Sequence, residues 1–408
     1  MKTKLRFRSI ATVVMLIMIF FSSSFVKAQD NKSFEVYGFA MMEAGYNFKT
    51  INPNWYDAMR VSRLPSYAKE FAPDGKVFFS ARQSQLGVKS FVKTEMGDFR
   101  TRFDFDLFGV GGDEGQTTIR LRHAYGELGH VLAGQTNSNF MDGDVFPNQL
   151  EYWGPTGMIF YRNIQIRYSP LMTKQNLLAF ALENPGASGD QGVVADRNEL
   201  RTVKPLFNVP DLTGSYKYMG DWGYVKFAGI VGSIKWRDVS DTATIQLNGS
   251  AVRWGGTVST NINLGKKAVL KLQGVYGEGM QNYMNDAPVD VSVMKNTTGD
   301  TINQPIKGVA LPVWGITAFV DLNWSKKFTS TAGYSVETID NSDLQSPIAF
   351  KQGQYGLVNL LYYPVENVMM GVEYNFGRRD NFSDGFHSTT SMIRFAARYN
   401  FSNIWSWK

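Results

Sequence analysis

Apolar and polar residues alternate with a period of two along most of the chain. The apolar face of the segment Phe99–Phe108 carries mostly phenylalanine and leucine. Its polar face carries four charged residues: Arg100, Arg102, Asp104 and Asp106. The same division recurs in Ser388–Phe401, where Arg394 and Arg398 lie on the polar face. A period of two is typical of a β-strand with one apolar and one polar face, so we predict an all-β fold.

Three features of these strands indicate that the apolar face meets lipid. Several strands, such as Tyr224–Arg237, exceed the roughly 5–6 residues of a soluble strand and the roughly 9–11 residues that cross a membrane in a tilted barrel. Aromatic residues such as Trp314 and Trp324 lie near strand ends, as in the interfacial girdles of barrels. Tight connections alternate with long polar ones, which is typical of periplasmic turns and external loops.

The alternation predicts about sixteen strands. An even number brings both ends of the strand series to one rim, and closure of the sheet pairs every backbone N–H and C=O inside the hydrocarbon. The second strand is predicted over Lys76–Lys93, the eleventh over Ala268–Tyr283 and the last over Ser388–Phe401. The predicted fold is a transmembrane antiparallel β-barrel, with residues 29–408 as one domain.

The first 28 residues have the features of a cleaved signal peptide. Basic residues precede a largely apolar run over Ile10–Phe21, and Val26-Lys27-Ala28 offers a cleavage site after Ala28. This run is shorter than the roughly 20 residues of a membrane-spanning helix. Five of the 42 Lys and Arg residues lie in this segment, which leaves 37 basic residues against 36 acidic ones. We therefore expect export to the bacterial outer membrane, contact with its lipid and no nucleic-acid partner.

The chain contains no cysteine and only three histidines, His123, His130 and His387. These leave little material for a metal site or an acid–base pair, so we predict no cofactor, no metal and no enzymatic activity. The phase that His123 shares with Leu121 and Tyr125 places it toward the lipid. Two other interpretations stay open: an exported soluble β-sandwich or propeller that binds glycans, and an outer-membrane barrel hydrolase. A barrel with a lipid-facing apolar belt needs detergent to stay in solution, whereas a sandwich does not.

Four segments carry a more specific resemblance. They are Gly97–Gly109 (GDFRTRFDFDLFG), Arg120–Gly126 (RLRHAYG), Ala133–Thr136 (AGQT) and Gln165–Ser169 (QIRYS). Together they resemble the DcaP-like outer-membrane porins. The resemblance implies a homotrimer of barrels of about sixteen strands each, which pass small, mostly anionic solutes such as dicarboxylates. The chain continues past Phe401 with Ser402–Lys408, where many barrels stop at a terminal aromatic residue.

The long segment Asn137–Tyr161 follows the fifth predicted strand. It contains a cluster of aromatic residues, two prolines and three acids, Asp142, Asp144 and Glu151. The segment looks like the loop that folds into the lumen of general porins, so we predict that it forms a constriction. Its acids, facing arginines on the wall, would create an electric field across the pore. The alternative is an ordinary external loop.

The turn between the third and fourth strands sets the pairing of their charges. If the turn centres near Gly112–Asp113, Asp106 lies opposite Arg120 and Asp104 lies opposite Arg122. We expect these four charges to neutralise one another.

The same register predicts that Arg100 and Arg102 have no acid opposite them. They lie opposite Gly126 and Ala124, which makes them the better solute contacts. Arginine suits this role because its planar guanidinium binds carboxylates bidentately. The alternative for each arginine is a solvated charge with no specific partner. Further candidates on the polar faces of strands are Arg162, Arg167, Arg394 and Arg398.

Overall fold

Sixteen antiparallel strands close into a barrel in the computed structural model, which describes residues 32–240 and 247–407. The strands follow one another in chain order, and the first pairs with both the second and the last. The signal peptide predicted over residues 1–28 lies outside the described residues. The strands are β1 (Lys32–Asn47), β2 (Lys76–Ser80 and Gln85–Thr94), β3 (Gly97–Phe108), β4 (Thr117–Leu128), β5 (Val131–Asn137), β6 (Arg162–Met172), β7 (Asn176–Glu183), β8 (Asp211–Gly220), β9 (Gly223–Asp238), β10 (Gly249–Leu264), β11 (Ala268–Glu278), β12 (Pro312–Asn323), β13 (Phe328–Ile339), β14 (Phe350–Tyr362), β15 (Val368–Asn381) and β16 (His387–Trp407).

Tight turns and longer loops lie at opposite rims of the barrel. Seven tight turns, beginning with the one between β2 and β3, lie at the same rim as Lys32 and Trp407, the ends of the described chain. The remaining eight connections between strands lie at the other rim. Because tight turns face the periplasm in outer-membrane barrels, we refer to these as the periplasmic rim and the outer rim.

The predicted barrel of sixteen strands is confirmed, with three differences at strand boundaries. β2 is interrupted at Ala81–Ser84, where the chain bends around a buried ion pair. β11 ends early, at Glu278, because Gly279 adopts a φ of 63° and turns the chain into the lumen. β16 continues to Trp407, so the C-terminal tail extends the barrel wall and pairs with β1.

The two faces of the wall separate as the alternation predicts. Phe103 is 49% exposed on the outside, whereas the next residue, Asp104, is 0% exposed inside the barrel. β16 repeats this division, with Phe395 outside and Arg394 inside. A closed ladder with an outward apolar belt is the architecture of an outer-membrane barrel and not of a soluble sandwich or propeller.

Three loops of the outer rim fold into the lumen and form its hydrophobic core. Loop 48–75 buries Met59 and Val61 against the inner wall. Loops 138–161 and 279–311 meet each other there, for example through the rings of Phe140 and Tyr283. The helices of the described residues are single turns, and none is long and apolar enough to cross a membrane.

Short strands within the outer loops were not predicted. Gly189–Asp190, Val291–Lys295 and Ile306–Ala310 form a small separate sheet, and Val203–Leu206 pairs with the outer end of β9. Each of these strands has only two to five residues, too few for alternation to stand out from the surrounding loop.

Candidate pore constriction

The loop 138–161 crosses the lumen between opposite walls. On one side, the Tyr152 hydroxyl donates a hydrogen bond of 2.5 Å to Asp106 of β3. On the far side, the backbone N–H of Asn148 donates at 3.3 Å to Asp321 of β12, which follows β3 by nine strands in chain order. The predicted inward position is therefore confirmed, and we call residues 138–161 the constriction loop.

A buried carboxylate on β15 fastens the constriction loop to the wall. Glu373 is 0% exposed and accepts hydrogen bonds from the backbone N–H groups of Leu150 and Glu151 at 2.7 and 2.9 Å. The side-chain amides of Asn359 and Asn375 each donate to it at 3.0 Å. Four hydrogen bonds converge on this buried carboxyl group, two of them from the loop backbone, so it fixes the position of the loop.

Only Glu151 among the three acids of the constriction loop lies near a wall arginine, Arg394, and both of these residues are enclosed by protein. This corrects the predicted field across the pore. Asp142 is buried and accepts a hydrogen bond of 2.9 Å from the Tyr224 hydroxyl. Asp144 is exposed and pairs with Lys217 of β8 at 2.5 Å. Glu151 accepts backbone N–H bonds from its own loop, and its burial raises the pKa of its carboxyl. The acids therefore stabilise the position of the loop, because their hydrogen-bond and ion-pair partners are loop backbone N–H groups, a nearby hydroxyl and Lys217.

A β-bulge at Arg122 changes the register between β3 and β4. Asp106 lies opposite Arg120 as predicted, and that pair is bidentate, with distances of 3.1 and 2.7 Å. Beyond it, Arg122 is the extra residue, so Asp104 lies opposite His123 rather than Arg122. A bulge places two successive side chains on one side of the strand. His123 therefore points into the barrel, and its predicted position toward the lipid was wrong.

Arg100 and Arg102 have acidic partners, so the prediction that they are unpaired was wrong. Arg102 lies 2.6 Å from the carboxylate of Asp104. Arg100 lies 2.8 Å from Asp98 and 3.4 Å from Glu127. The bulge is the physical reason for the second contact, because it shifts each later pair by one residue and brings Glu127 opposite Arg100.

Two arginines share one carboxylate beside the constriction loop, and a third lies near them without an acid partner among the described residues. Arg120 and Arg122 both bind Asp106, at 2.7 and 2.6 Å. Arg162 lies 5.0 Å from the centre of the Phe160 ring, and the charges that act on it most strongly are those of Arg122 and Arg120. We call Arg120, Arg122 and Arg162 the arginine cluster; it carries three positive charges against the single negative charge of Asp106.

The arginine cluster has hydrogen-bond donors without acceptors. The Nε atoms of Arg122 and Arg162 are both buried and have no partner. In the described part of the chain, no acid lies within ion-pair distance of Arg162. Arg122 also donates to the hydroxyl of Tyr152 at 3.1 Å, which places the cluster against the constriction loop. Beside the constriction loop, the cluster thus carries more positive than negative charge.

The remaining predicted arginines differ in their access to solute. Arg394 is 0% exposed and pairs with Glu43 at 2.7 Å, so it is enclosed by protein and its assignment as a solute contact is corrected. Arg167 donates to the backbone carbonyl of Asn137 at 2.5 Å and has no acid within ion-pair distance among the described residues. Arg398 has no such acid either, and its Nε atom is buried without a partner. Arg167 and Arg398 stay candidates for the pore lining.

Comparison with known proteins identifies the family. The model of the DcaP outer membrane protein family matches residues 24–401. The chain belongs to this family. Among solved structures, the outer membrane channel DcaP of Acinetobacter baumannii is similar with a TM-score of 0.74 and 20% identity, covering 93% of this chain and 100% of that one.

More distant porins share the fold of this porin. OmpT of Vibrio cholerae matches with a TM-score of 0.54 and 11% identity, covering 93% of this chain and 100% of that one. An anion-selective porin from Comamonas acidovorans matches with a TM-score of 0.57 and 10% identity, over 91% of this chain and 100% of that one. No match was found among curated proteins. The family and the barrel together establish an outer-membrane porin, a channel of the bacterial outer membrane.

Sequence reasoning missed the residues that hold the constriction loop of this porin in place. Glu373 and Asn359 stand on polar strand faces like many lumen residues, and nothing in their local sequence shows that a loop more than 200 residues away binds them. Tyr152 was visible only as one member of an aromatic cluster. Long-range hydrogen bonds of this kind leave no periodic pattern in a single sequence.

Proposed function

We propose that this porin is a passive diffusion channel that favours small anions, dicarboxylates among them. The observation that carries the proposal is the arginine cluster, in which three guanidinium groups face one carboxylate at the constriction loop. The side chains of Arg120 and Arg122 are 20% and 19% exposed, so a solute carboxylate can reach their guanidinium groups from the lumen. The site attracts anions through its excess positive charge, although the mature chain predicted from the sequence is nearly neutral.

Weak binding is required for conduction, and the surroundings of the cluster favour it. Asp106 accepts from Arg120, Arg122 and Tyr152, which leaves part of the positive charge of the cluster for a solute. A solute held by the remaining donors is attracted strongly enough to enter and weakly enough to leave. Arg167 and Arg398 are further positive charges on the inner wall, and neither has an acid within ion-pair distance among the described residues.

We further propose a homotrimer in the outer membrane. The support is the fold, since OmpT of Vibrio cholerae, which shares it with a TM-score of 0.52, has been solved in a trimer form. Cross-linking of the porin in native membranes, read as the mass of the largest product, tests this assembly directly.

Matched charge removals test the role of the arginine cluster. Arg162→Gln removes a charge without an acid partner, whereas Arg100→Gln removes one that pairs with Asp98 and Glu127. In a salt gradient across a planar bilayer, Arg162→Gln is expected to lower the anion-to-cation permeability ratio about fivefold, because a unit charge at close range in water contributes on the order of 1 kcal/mol. Arg100→Gln is expected to leave the ratio nearly unchanged. If both variants changed the permeability ratio equally, or if Arg162→Gln did not change it, the arginine cluster would not be the source of selectivity.

A further inference from the structure

The outer surface of β10 and β11 carries an aromatic girdle near the outer rim. Trp254 of β10 and Tyr276 of β11 are 40% and 49% exposed, and their rings lie 5.5 Å apart. Trp254 is paired with Val231 of β9, which is 48% exposed on the same outward face. Tryptophan and tyrosine concentrate where hydrocarbon meets the headgroup layer, so this level marks the outer boundary of the apolar belt.

Three positive charges lie directly beyond this girdle on the same face. Lys235 and Arg237 follow Val231 at steps of two along β9, so their side chains continue its outward face. The rim strand Val203–Leu206 pairs with this end of β9 and sets Lys204 opposite Arg237. Residues directly opposite in a ladder share a face, so Lys204 points outward as well. We call Lys204, Lys235 and Arg237 the rim cation patch.

The rim cation patch has no counter-charge among the residues that the structure describes. None of its three residues has an acid within ion-pair distance in the described ranges. Lys204 and Arg237 are like charges placed directly across a strand pair, an arrangement that destabilises a sheet unless an anion lies between or beside them. The patch therefore suits a ligand that carries more than one negative charge.

We propose that the rim cation patch binds the phosphates of an acidic lipid of the outer leaflet, whose acyl chains lie along the apolar belt below. Lys235 stands four residues beyond Val231, about 13 Å along the strand and roughly 10 Å above the girdle after allowing for strand tilt. The headgroup layer extends roughly 5–7 Å beyond the hydrocarbon, and a long lysine side chain at this height reaches down to it. Below the patch, Val231 and Val252 offer apolar surface, at 48% and 62% exposure. The inference rests on the barrel and its orientation and does not depend on the selectivity of the pore.

The opposite side of the outer rim supplies a matched control. Arg378 of β15 also faces outward near the outer rim, on the same face of its strand as Tyr374. Its guanidinium lies 2.6 Å from Asp380, so its charge is already neutralised. Arg378→Gln therefore removes an outward positive charge that is already paired with an acid, and it leaves the rim cation patch unchanged.

Native mass spectrometry of the purified porin in nonionic detergent tests the proposal with bis-phosphorylated lipid A as the probe. Wild type and Arg378→Gln are expected to retain the lipid. The triple variant Lys204→Gln, Lys235→Gln, Arg237→Gln is expected to retain it at least about tenfold less, since each basic residue near an anionic lipid surface contributes measurably to binding. Mobility of unboiled samples on a gel verifies that each variant is folded.

Two further measurements use the wild-type porin and do not depend on whether the triple variant folds. Lipid A without phosphates should be retained far less than the bis-phosphorylated form. Inorganic pyrophosphate should fail to displace the lipid, because it makes no contact with the apolar belt. Equal retention of both lipids, displacement by pyrophosphate alone, or full retention by a folded triple variant would each overturn the proposal.

Discussion

Replacing Asn139–Trp153 with a short glycine–serine linker is expected to raise the single-channel conductance severalfold. This segment carries the constriction loop from the wall at β3 to the wall at β12 and fills the lumen between them. Its removal widens the narrowest part of the water path, and conductance follows the narrowest section. The measurement is single-channel current in a planar bilayer, made on protein that is folded by gel mobility.

A deletion elsewhere in the outer loops separates constriction from a general loosening of the barrel. Thr298–Asn303 belongs to loop 279–311 and is exposed throughout. Its deletion shortens a loop without touching the path across the lumen, so conductance should stay at the wild-type value. If the constriction-loop variant folds and conducts like wild type, residues 138–161 do not limit the current and the proposed site loses its place at the narrowest point.

Arg394→Met is expected to cause a large loss of stability. Arg394 is 0% exposed and binds Glu43 at 2.7 Å, the backbone carbonyl of Asp57 at 3.1 Å and Asn375 at 3.3 Å. Its removal leaves Glu43 and the nearby Glu373 buried without their counter-charge, which costs about 3–5 kcal/mol. The temperature at which the folded band disappears on an unboiled gel should fall sharply.

Arg398→Met is the control on the same strand. Arg398 makes no ion pair in the described part of the chain and lies over the ring of Phe39 at 5.3 Å, a contact that methionine partly replaces. The unfolding temperature should therefore change little. A drop of the same size in both variants would show that burial of an arginine stem, and not its ion pair with Glu43, stabilises β16.

The wall of the barrel was predictable from the sequence because every strand repeats the same period of two. The register between β3 and β4 was predictable only up to the bulge. The Asp106–Arg120 pair is correct, but a bulge inserts one residue without changing the composition around it, so the position of Arg122 as the extra residue is invisible in the sequence. The errors about His123 and about Glu127 opposite Arg100 follow from that one residue, whereas Asp98 and Asp104 reach the arginines from two positions away on the same strand.

The interior of the lumen was less predictable than its wall. The sequence indicated that Asn137–Tyr161 folds inward, but not that loop 48–75 joins it there. Arg60 of that loop lies 2.8 Å from Asp286 of loop 279–311, a contact between residues 226 positions apart. Contacts between irregular loops depend on the closed wall around them, and no local periodicity encodes them.

The reversal potential of the wild-type porin tests the central claim most directly. The purified protein is inserted into a planar bilayer with potassium chloride at unequal concentrations on the two sides, and the potential of zero current is measured. The excess positive charge of the arginine cluster predicts a reversal potential of the sign for chloride preference. A reversal potential at zero or of the sign for potassium preference would contradict an anion-favouring channel.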